Sequence, residues 1–276
     1  MAKLKVGLIG CGAIGNIISD AIKDGRAGDT ELVMVYDLLK ENAEKCIQRM
    51  AKKPKVAERP EELIESDRIN LIIEAASQEV VRKHAIKILN SGKDLLILSI
   101  GALVDRKLLE EIEKTAERND RMVYLPSGAL AGLDGVKSSS TANLTEVTLT
   151  TRKHPDALKG APYIVRHEIN LDSIKRPTVV YEGNAEEAAR TFPKNINVAA
   201  VLSLAGIGAK RTRVRIVADP TVHKNVHEIT AKGDFGTIKT HVENVPSSYN
   251  PKTSYLAALS VVRTLRKIGE HVQIGT

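Results

Sequence analysis

The chain opens with Leu4-Lys5-Val6-Gly7-Leu8-Ile9, which leads directly into Gly10-Cys11-Gly12-Ala13-Ile14-Gly15. The first run predicts a strand, and the second a glycine-rich turn that starts a helix. Gly10 permits the tight turn, Gly12 lets backbone N–H groups approach a pyrophosphate, and Gly15 lets the helix pack closely on the strand. The helix N-terminus then faces the anion. The predicted dinucleotide contacts here are Gly10, Cys11, Gly12, Ala13, Ile14 and Gly15.

A second apolar strand, Leu32-Val33-Met34-Val35-Tyr36, ends in Asp37, 22 positions after Gly15. That spacing is close to the ~20 residues expected for a carboxylate that binds the ribose diol of a dinucleotide. The context therefore favours cofactor binding over a glycine turn of another kind. A carboxylate at Asp37 repels a 2′-phosphate and favours NAD, but we expect NAD or NADP as the cofactor.

Composition excludes several classes of function. The 276 residues carry 41 basic and 34 acidic side chains, a net charge of +7, with no Trp and two Phe. The charges are scattered and aromatic stacking groups are scarce, so we predict no nucleic-acid partner. The longest apolar runs fall well short of the ~20 residues that span a bilayer, so we predict no membrane partner. Cys11 and Cys46 do not suggest a disulfide scaffold, and we expect a cytoplasmic protein.

Residues 1–125 alternate between strand and helix patterns, which predicts an α/β domain with a doubly wound, Rossmann-type parallel sheet. The continuous apolar run Ile69–Ile73 is typical of a central strand covered on both faces. It ends at Glu74-Ala75-Ala76-Ser77, on the carboxyl edge of the sheet, where ligands bind. Ala76 and Ser77 are therefore predicted to contact the cofactor.

Beyond Pro126 alternating strands dominate. Residues 126–249 predict a smaller α+β domain with a mainly antiparallel sheet, for substrate binding and catalysis. A helix within about 250–276 is expected to pack back onto the first domain. The strands predicted in the second domain are 146–151, 211–218, 226–231 and 237–242, and its helices about 185–191 and 198–208.

A dehydrogenase with this plan reacts in the cleft between its domains, so the second domain must supply an acid or base. Asn225 and His227 project from the same face of a predicted strand, which suits binding and proton transfer. His223 and His227 resemble an i,i+4 zinc pair, but the region reads as strand and has no cysteine cluster, so we predict no metal site. His154, His167 and His241 are interpreted as ordinary residues, the last two within strands.

Two further segments carry small or polar residues. Ser127–Asp134 lets a ligand approach the backbone or forms a hinge between domains. In Pro193–Ala200, Asn195 or Asn197 either caps the following helix or presents an amide to a ligand. We treat Ser127 and Asn225 as candidate substrate contacts.

Together these segments resemble the L-aspartate dehydrogenase family along essentially the whole chain. The resemblance rests on GLIGCGAIG, IEAAS, PSGALAGLDG, FPKNINVAA and NVHEI, in this order. It implies NAD(P)-dependent oxidation of L-aspartate to iminoaspartate, with His227 as the acid or base and Ala131 and Asn197 as cofactor contacts. It also implies a homodimer that forms through residues 126–249, and a part in NAD biosynthesis.

The two substrate carboxylates call for cations or N–H donors. Lys137, Arg152 and Lys153 are candidates by position, but each is interpreted as a solvated charge.

Two other functions remain open. Homoserine dehydrogenase shares the two-domain plan and uses lysine and carboxylate groups. A non-catalytic NAD-binding sensor would bind cofactor without turnover. A phosphorylating semialdehyde dehydrogenase is disfavoured, because it needs a cysteine in the second domain.

Overall fold

The computed structural model describes residues 3–192, 196–247, 249–250 and 253–276. Pro193, Lys194 and Asn195 of the predicted segment Pro193–Ala200, and 251–252 of the predicted C-terminal region, lie outside the described residues. The chain divides into two compact units. The first comprises Met1–Gly128 and Ala257–Gln273, and the second Ala129–Leu256 and Ile274–Thr276.

The strands are named in chain order. They are β1 (Leu4–Ile9), β2 (Thr30–Tyr36), β3 (Lys55–Val56), β4 (Leu71–Glu74), β5 (Asp94–Ile97), β6 (Val123–Tyr124), β7 (Leu144–Lys153), β8 (Thr178–Asn184), β9 (Arg213–Ala218), β10 (Asn225–Gly233) and β11 (Gly236–Asn244).

The α-helices are named in the same way. They are α1 (Ala13–Lys23), α2 (Lys40–Ile47), α3 (Glu61–Glu65), α4 (Gln78–Asn90), α5 (Arg106–Arg118), α6 (Leu133–Ser139), α7 (Pro162–Arg166), α8 (Ala185–Thr191), α9 (Asn197–Ala205) and α10 (Tyr255–Ile268).

The first unit contains a parallel sheet in the order β3-β2-β1-β4-β5-β6. The order reverses between β1 and β4, which is the switch point where ligands bind in doubly wound sheets. Most residues of β1 and β4 are apolar, and both strands are buried toward their carboxyl ends, as expected for strands covered on both faces. The predicted Rossmann-type architecture is confirmed.

The second unit contains a sheet in the order β11-β10-β7-β9-β8. The pairings β10–β11, β7–β10 and β8–β9 are antiparallel, and β7–β9 is parallel. The mainly antiparallel sheet predicted for this part of the chain is therefore confirmed. Sequence periodicity missed edge strand β8, whose pattern is broken by a register shift between Val179 and Tyr181.

The prediction for His167 was wrong. This residue follows α7 instead of lying in a strand, because Pro162 begins a short helix and the His167 ring stacks on Tyr163 with the ring centroids 3.9 Å apart.

Helix α10 contributes Val261, Val262 and Leu265 to the core of the first unit. These side chains share that core with residues of β1 such as Val6 and Leu8. The first unit is thus built from two distant stretches of the chain.

A buried carboxylate holds the ends of β4 and β5 together. Glu74 Oε1 accepts hydrogen bonds from Ala76 N, Ser77 N and Ser99 Oγ, each at 2.8 Å. Its Oε2 accepts a bond from Ser99 N at 2.9 Å. Burial raises the pKa of Glu74, and this effect outweighs the opposite effect of the four hydrogen bonds, which lower the pKa. The backbone at the carboxyl edge is therefore set by one side chain.

We predict that Glu74→Ala destabilises the protein by about 3 kcal/mol or more, because buried backbone N–H groups lose their acceptor. Urea denaturation of the variant measures this loss. Glu79→Ala, on the exposed side of α4, is the matched control and is expected to change the free energy of unfolding by less than about 1 kcal/mol. Equal effects of the two substitutions would contradict the role assigned to Glu74.

Candidate active site

The turn between β1 and α1 depends on glycine at two positions. Gly10 has φ +100°, and a Cβ there would lie 2.5 Å from the carbonyl oxygen of Ala75. A Cβ on Gly15 would lie 2.2 Å from the carbonyl oxygen of Gly10. A Cβ on Gly12 would point into open space, and Gly12 caps α1 without a side-chain hydrogen bond. Gly12 is exposed at this helix start, where N–H groups without intrahelical partners can bind an anion such as a dinucleotide pyrophosphate.

Asp37 lies against this turn at the end of β2. Its Oδ2 accepts a hydrogen bond from Cys11 N at 2.7 Å, and its Oδ1 accepts one from Leu39 N at 2.9 Å. Asn16 Nδ2 donates to the carbonyl oxygens of Cys11 and Gly12 at 2.8 and 2.9 Å. Asp37 is therefore next to the predicted phosphate loop, as ribose binding requires.

The other predicted residues of the first unit lie around the same edge. Ala13 and Ile14 are half-buried in the first turn of α1, and the Cys11 side chain is buried. The backbone N–H of Cys11 contacts Asp37. Ala76 and Ser77 are exposed after β4, and the Ser77 hydroxyl accepts a bond from Val80 N at 3.3 Å as the cap of α4. The glycine turn, Asp37 and the β4 loop are brought together at one sheet edge.

In the second unit, His227 lies on β10 opposite Thr151 of β7. The side chain is buried, and its Nδ1 lies 3.0 Å from Thr151 Oγ1. When Nδ1 carries the proton and donates it to Thr151, Nε2 has a free lone pair. Thr151, which the sequence analysis did not single out, therefore orients the imidazole.

Burial, and secondly the positive charge of Lys153, lowers the pKa of His227 to about 3. The imidazole is thus neutral throughout the physiological range.

Lys153 differs from its expected state. It is the last residue of β7 and has only 8% of its surface exposed, so the interpretation as a solvated charge was wrong. Burial lowers its pKa to about 8. Arg152 points to the opposite face and pairs with Glu228 at 3.2 Å, and Lys137 is exposed on α6.

Asn225 begins β10, two positions before His227, and is half-buried. It pairs in register with Asn244, whose Nδ2 donates to the carbonyl oxygen of Ala129 at 3.1 Å.

Ala131 lies two positions after Ala129, in the predicted segment Ser127–Asp134, and is exposed. The next residue, Gly132, has φ +78°, and a Cβ added there would lie 2.5 Å from Thr240 Cγ2. The end of β11 therefore holds the backbone that carries Ala131.

Asn197 is the exposed first residue of α9. The cap position belongs to Ile196, so Asn197 is not the cap, and Asn195, the other candidate, lies outside the described residues. Ser127 is half-buried in the first unit, and its neighbour Gly128 donates its N–H to Ser260 Oγ at 3.1 Å.

His223 is exposed in the turn before β10. Among the residues that the structure describes, no group of three or more His, Cys, Asp and Glu side chains is arranged to hold a metal ion. No described helix is long and apolar enough to cross a bilayer.

Sequence reasoning missed three residues of these sites: Glu74, Asn16 and Thr151. The sequence features that could have identified these residues were weak. Glu74 is a carboxylate at the end of an apolar strand, and Thr151 lies in an alternating strand, in phase with its buried residues.

Two family profiles match the chain. "Aspartate dehydrogenase, C-terminal" matches residues 134–268, and "Homoserine dehydrogenase, NAD binding domain" matches residues 10–126. The second profile covers the glycine turn, Asp37 and the β4 loop, so the first unit is an NAD-binding domain.

Curated relatives match over almost the full length. L-aspartate dehydrogenase of Methanosarcina acetivorans is 49% identical, over 99% of this chain and 100% of the relative. That of Methanococcoides burtonii is 47% identical, with the same coverage. The crystal structure of aspartate dehydrogenase from Thermotoga maritima matches with a TM-score of 0.78 and 27% identity, over 99% of each chain. The chain therefore belongs to the L-aspartate dehydrogenase family.

Proposed function

We propose that this protein oxidises L-aspartate to iminoaspartate, with His227 as the acid or base. The observation that carries the proposal is a buried, neutral imidazole, oriented by Thr151, in a chain of this family. NAD, when bound, accepts the hydride that leaves Cα of the substrate.

The residues of this chain would act as follows. The backbone of Gly10–Gly15 would bind the pyrophosphate, and Asp37 the ribose diol. Ala76, Ser77, Ala131 and Asn197 would contact the remainder of the cofactor, and Asn225 and Ser127 the substrate. His227 Nε2 would accept a proton from the substrate ammonium, which frees the nitrogen lone pair that forms the C=N bond.

The same imidazole, once protonated, would return its proton during hydrolysis of the imine to oxaloacetate and ammonia. We further propose that iminoaspartate passes to quinolinate and NAD biosynthesis, that the protein is a cytoplasmic homodimer, and that NADP is also accepted. The family resemblance supports these points, and light scattering after size exclusion tests the dimer.

We predict that His227→Asn lowers kcat with L-aspartate by about 10²–10⁴-fold, the range of general acid–base catalysis. The affinity for NADH, measured by fluorescence titration, is expected to remain unchanged. His241→Asn, an exposed histidine of β11, is the control and should retain activity. Homoserine is assayed in parallel: turnover of homoserine but not aspartate would favour the homoserine dehydrogenase alternative. NADH binding without any turnover would favour the sensor.

We predict a second effect of His227, on stability at low pH. Its pKa is about 3 in the folded protein, against an ordinary value of about 6.5 when unfolded, so between these values the unfolded chain binds the extra proton. Stability therefore falls as pH falls. Relative to His227→Asn, the wild type should lose about 1.4 kcal/mol per pH unit between about pH 6 and pH 4. Urea denaturation of both proteins at each pH measures the free energies of unfolding. A difference between the two proteins that stays constant from pH 6 to pH 4 would contradict this prediction.

We predict that Asp37→Ser lowers kcat/KM for NAD and raises the ratio of NADP to NAD efficiency by about tenfold or more, because a ribose ligand and a repulsive charge are both removed. Asp67→Ser, outside the cofactor loops, is the control. Thermal melts check that loss of the bonds to Cys11 and Leu39 does not unfold the variant. An unchanged ratio in a folded variant would remove Asp37 from cofactor selection.

A further inference from the structure

A block of positive charge in the second unit has no part in the proposed oxidation. Four cations, Lys210, Arg211, Arg213 and Arg215, fall within six consecutive positions, and the chain has no acidic residue from 188 to 218. The first two lie in the loop between α9 and β9, and the other two lie on β9. Strand side chains alternate, so the two strand arginines share the face of the sheet opposite buried Val214.

Three of these side chains line an open cleft of about 440 Å³ between the end of β8 and the start of β9. They are Lys210, Arg211 and Arg213, here called the cleft cations, and all three are exposed. The rest of the described lining is Glu182, Gly183 and Asn184 of β8, so the whole cleft lies within the second unit. A volume in the range of about 300–1,000 Å³ is typical of small-molecule sites. The cleft therefore has room for a ligand with several charged groups.

The carboxylates near the cleft already have cationic partners. Glu182 pairs in register with Arg215, and its Oε2 lies 3.3 Å from Arg215 Nε. Glu146, whose pKa Arg213 helps to lower, is itself paired with Lys232 at 3.0 Å. Within the part of the chain that the structure describes, the cleft cations form no ion pair with a carboxylate. The cleft thus has an excess of positive charge that is available to an anion.

The backbone on both sides of the cleft is held in place. Thr212 is fully buried, and its N and Oγ1 donate to the carbonyl oxygen of Gly208 at 3.0 and 2.9 Å. Ala185 N, directly after β8, donates to the carbonyl oxygen of Thr212 at 2.9 Å. These bonds join the loop of the cleft cations to the end of β8, and a fixed loop lowers the entropic cost of binding a ligand.

The types of cation indicate the chemistry of the ligand. A guanidinium binds phosphate oxygens through two parallel N–H···O bonds, and an ammonium binds them as a point charge. A single carboxylate would leave most of three neighbouring cations without a counter-charge, whereas two linked phosphates offer anionic oxygens to all of them. We propose that the cleft binds a diphosphate group, either as free pyrophosphate or within a nucleotide. This site does not depend on the oxidation of aspartate.

Calorimetric titration of NADH-loaded protein with pyrophosphate tests the site, because NADH occupies the phosphate-binding turn after β1. We expect one pyrophosphate to bind per chain. Arg211→Gln and Arg213→Gln should each lower the pyrophosphate affinity about tenfold or more, since each removes charge-assisted hydrogen bonds. Arg211→Lys keeps the charge but loses the paired geometry, so its affinity should be intermediate.

Arg166→Gln is the matched control, because it removes an exposed arginine of α7 in the same unit and should leave the pyrophosphate affinity unchanged. All these side chains are exposed, so the melting temperatures of the variants should stay within about 2 °C of the wild type. ADP titrated into the same NADH-loaded protein distinguishes the two sources. Tighter binding of ADP than of pyrophosphate, lost in Arg211→Gln, supports a nucleotide, and equal binding supports recognition of the diphosphate alone.

The absence of pyrophosphate binding to the wild type would overturn the proposal. An affinity that is unchanged in both Arg211→Gln and Arg213→Gln would also overturn it, as would an equal loss in Arg166→Gln, because net charge alone would then explain the binding. Light scattering gives a further decisive outcome. If Arg211→Gln changes the number of chains in the assembly and leaves pyrophosphate affinity unchanged, the cleft cations serve contacts between copies and the proposal is wrong.

Discussion

The close approach of backbone segments at Gly10 and Gly15 is the constraint on which the first unit depends. At both positions a Cβ would lie at or below 2.5 Å from a carbonyl oxygen. The end of β1, the start of α1 and the loop after β4 can therefore meet only because two side chains are absent. The Glu74 carboxylate then secures that loop to the end of β5 through four hydrogen bonds. Together they set the backbone of the glycine turn and of the loop after β4.

The second unit uses burial in a different way. Strands β7 and β10 direct Thr151, Lys153 and His227 to one interior face, where ionisation is costly. The same desolvation lowers the pKa of both His227 and Lys153.

The outer face of this sheet has the reverse character. Half-buried Arg152 and Glu228 and exposed His241 form a network with separations of 3.2 Å. Neighbouring residues in the sequence, such as Arg152 and Lys153, thus have opposite roles because strand side chains alternate between faces. Ion pairs that are open to solvent contribute little to stability.

The sequence by itself determined the parallel sheet, the glycine turn, Asp37 and the strand that carries Asn225 and His227. These features depend on local periodicity, on glycine conformation and on spacing along the chain, all of which are readable without a fold. It did not reveal β8, whose alternation is interrupted, or the helical end at His167, which Pro162 and ring stacking on Tyr163 produce.

Only the tertiary structure decided the states of Glu74, Thr151 and Lys153. A period of two places Thr151 and Lys153 on the same face of β7, but it does not say which face becomes interior. That depends on the packing of α8 and α9 over the sheet, from residues more than thirty positions away. Charge and pKa follow from burial, and burial is a property of the assembled fold.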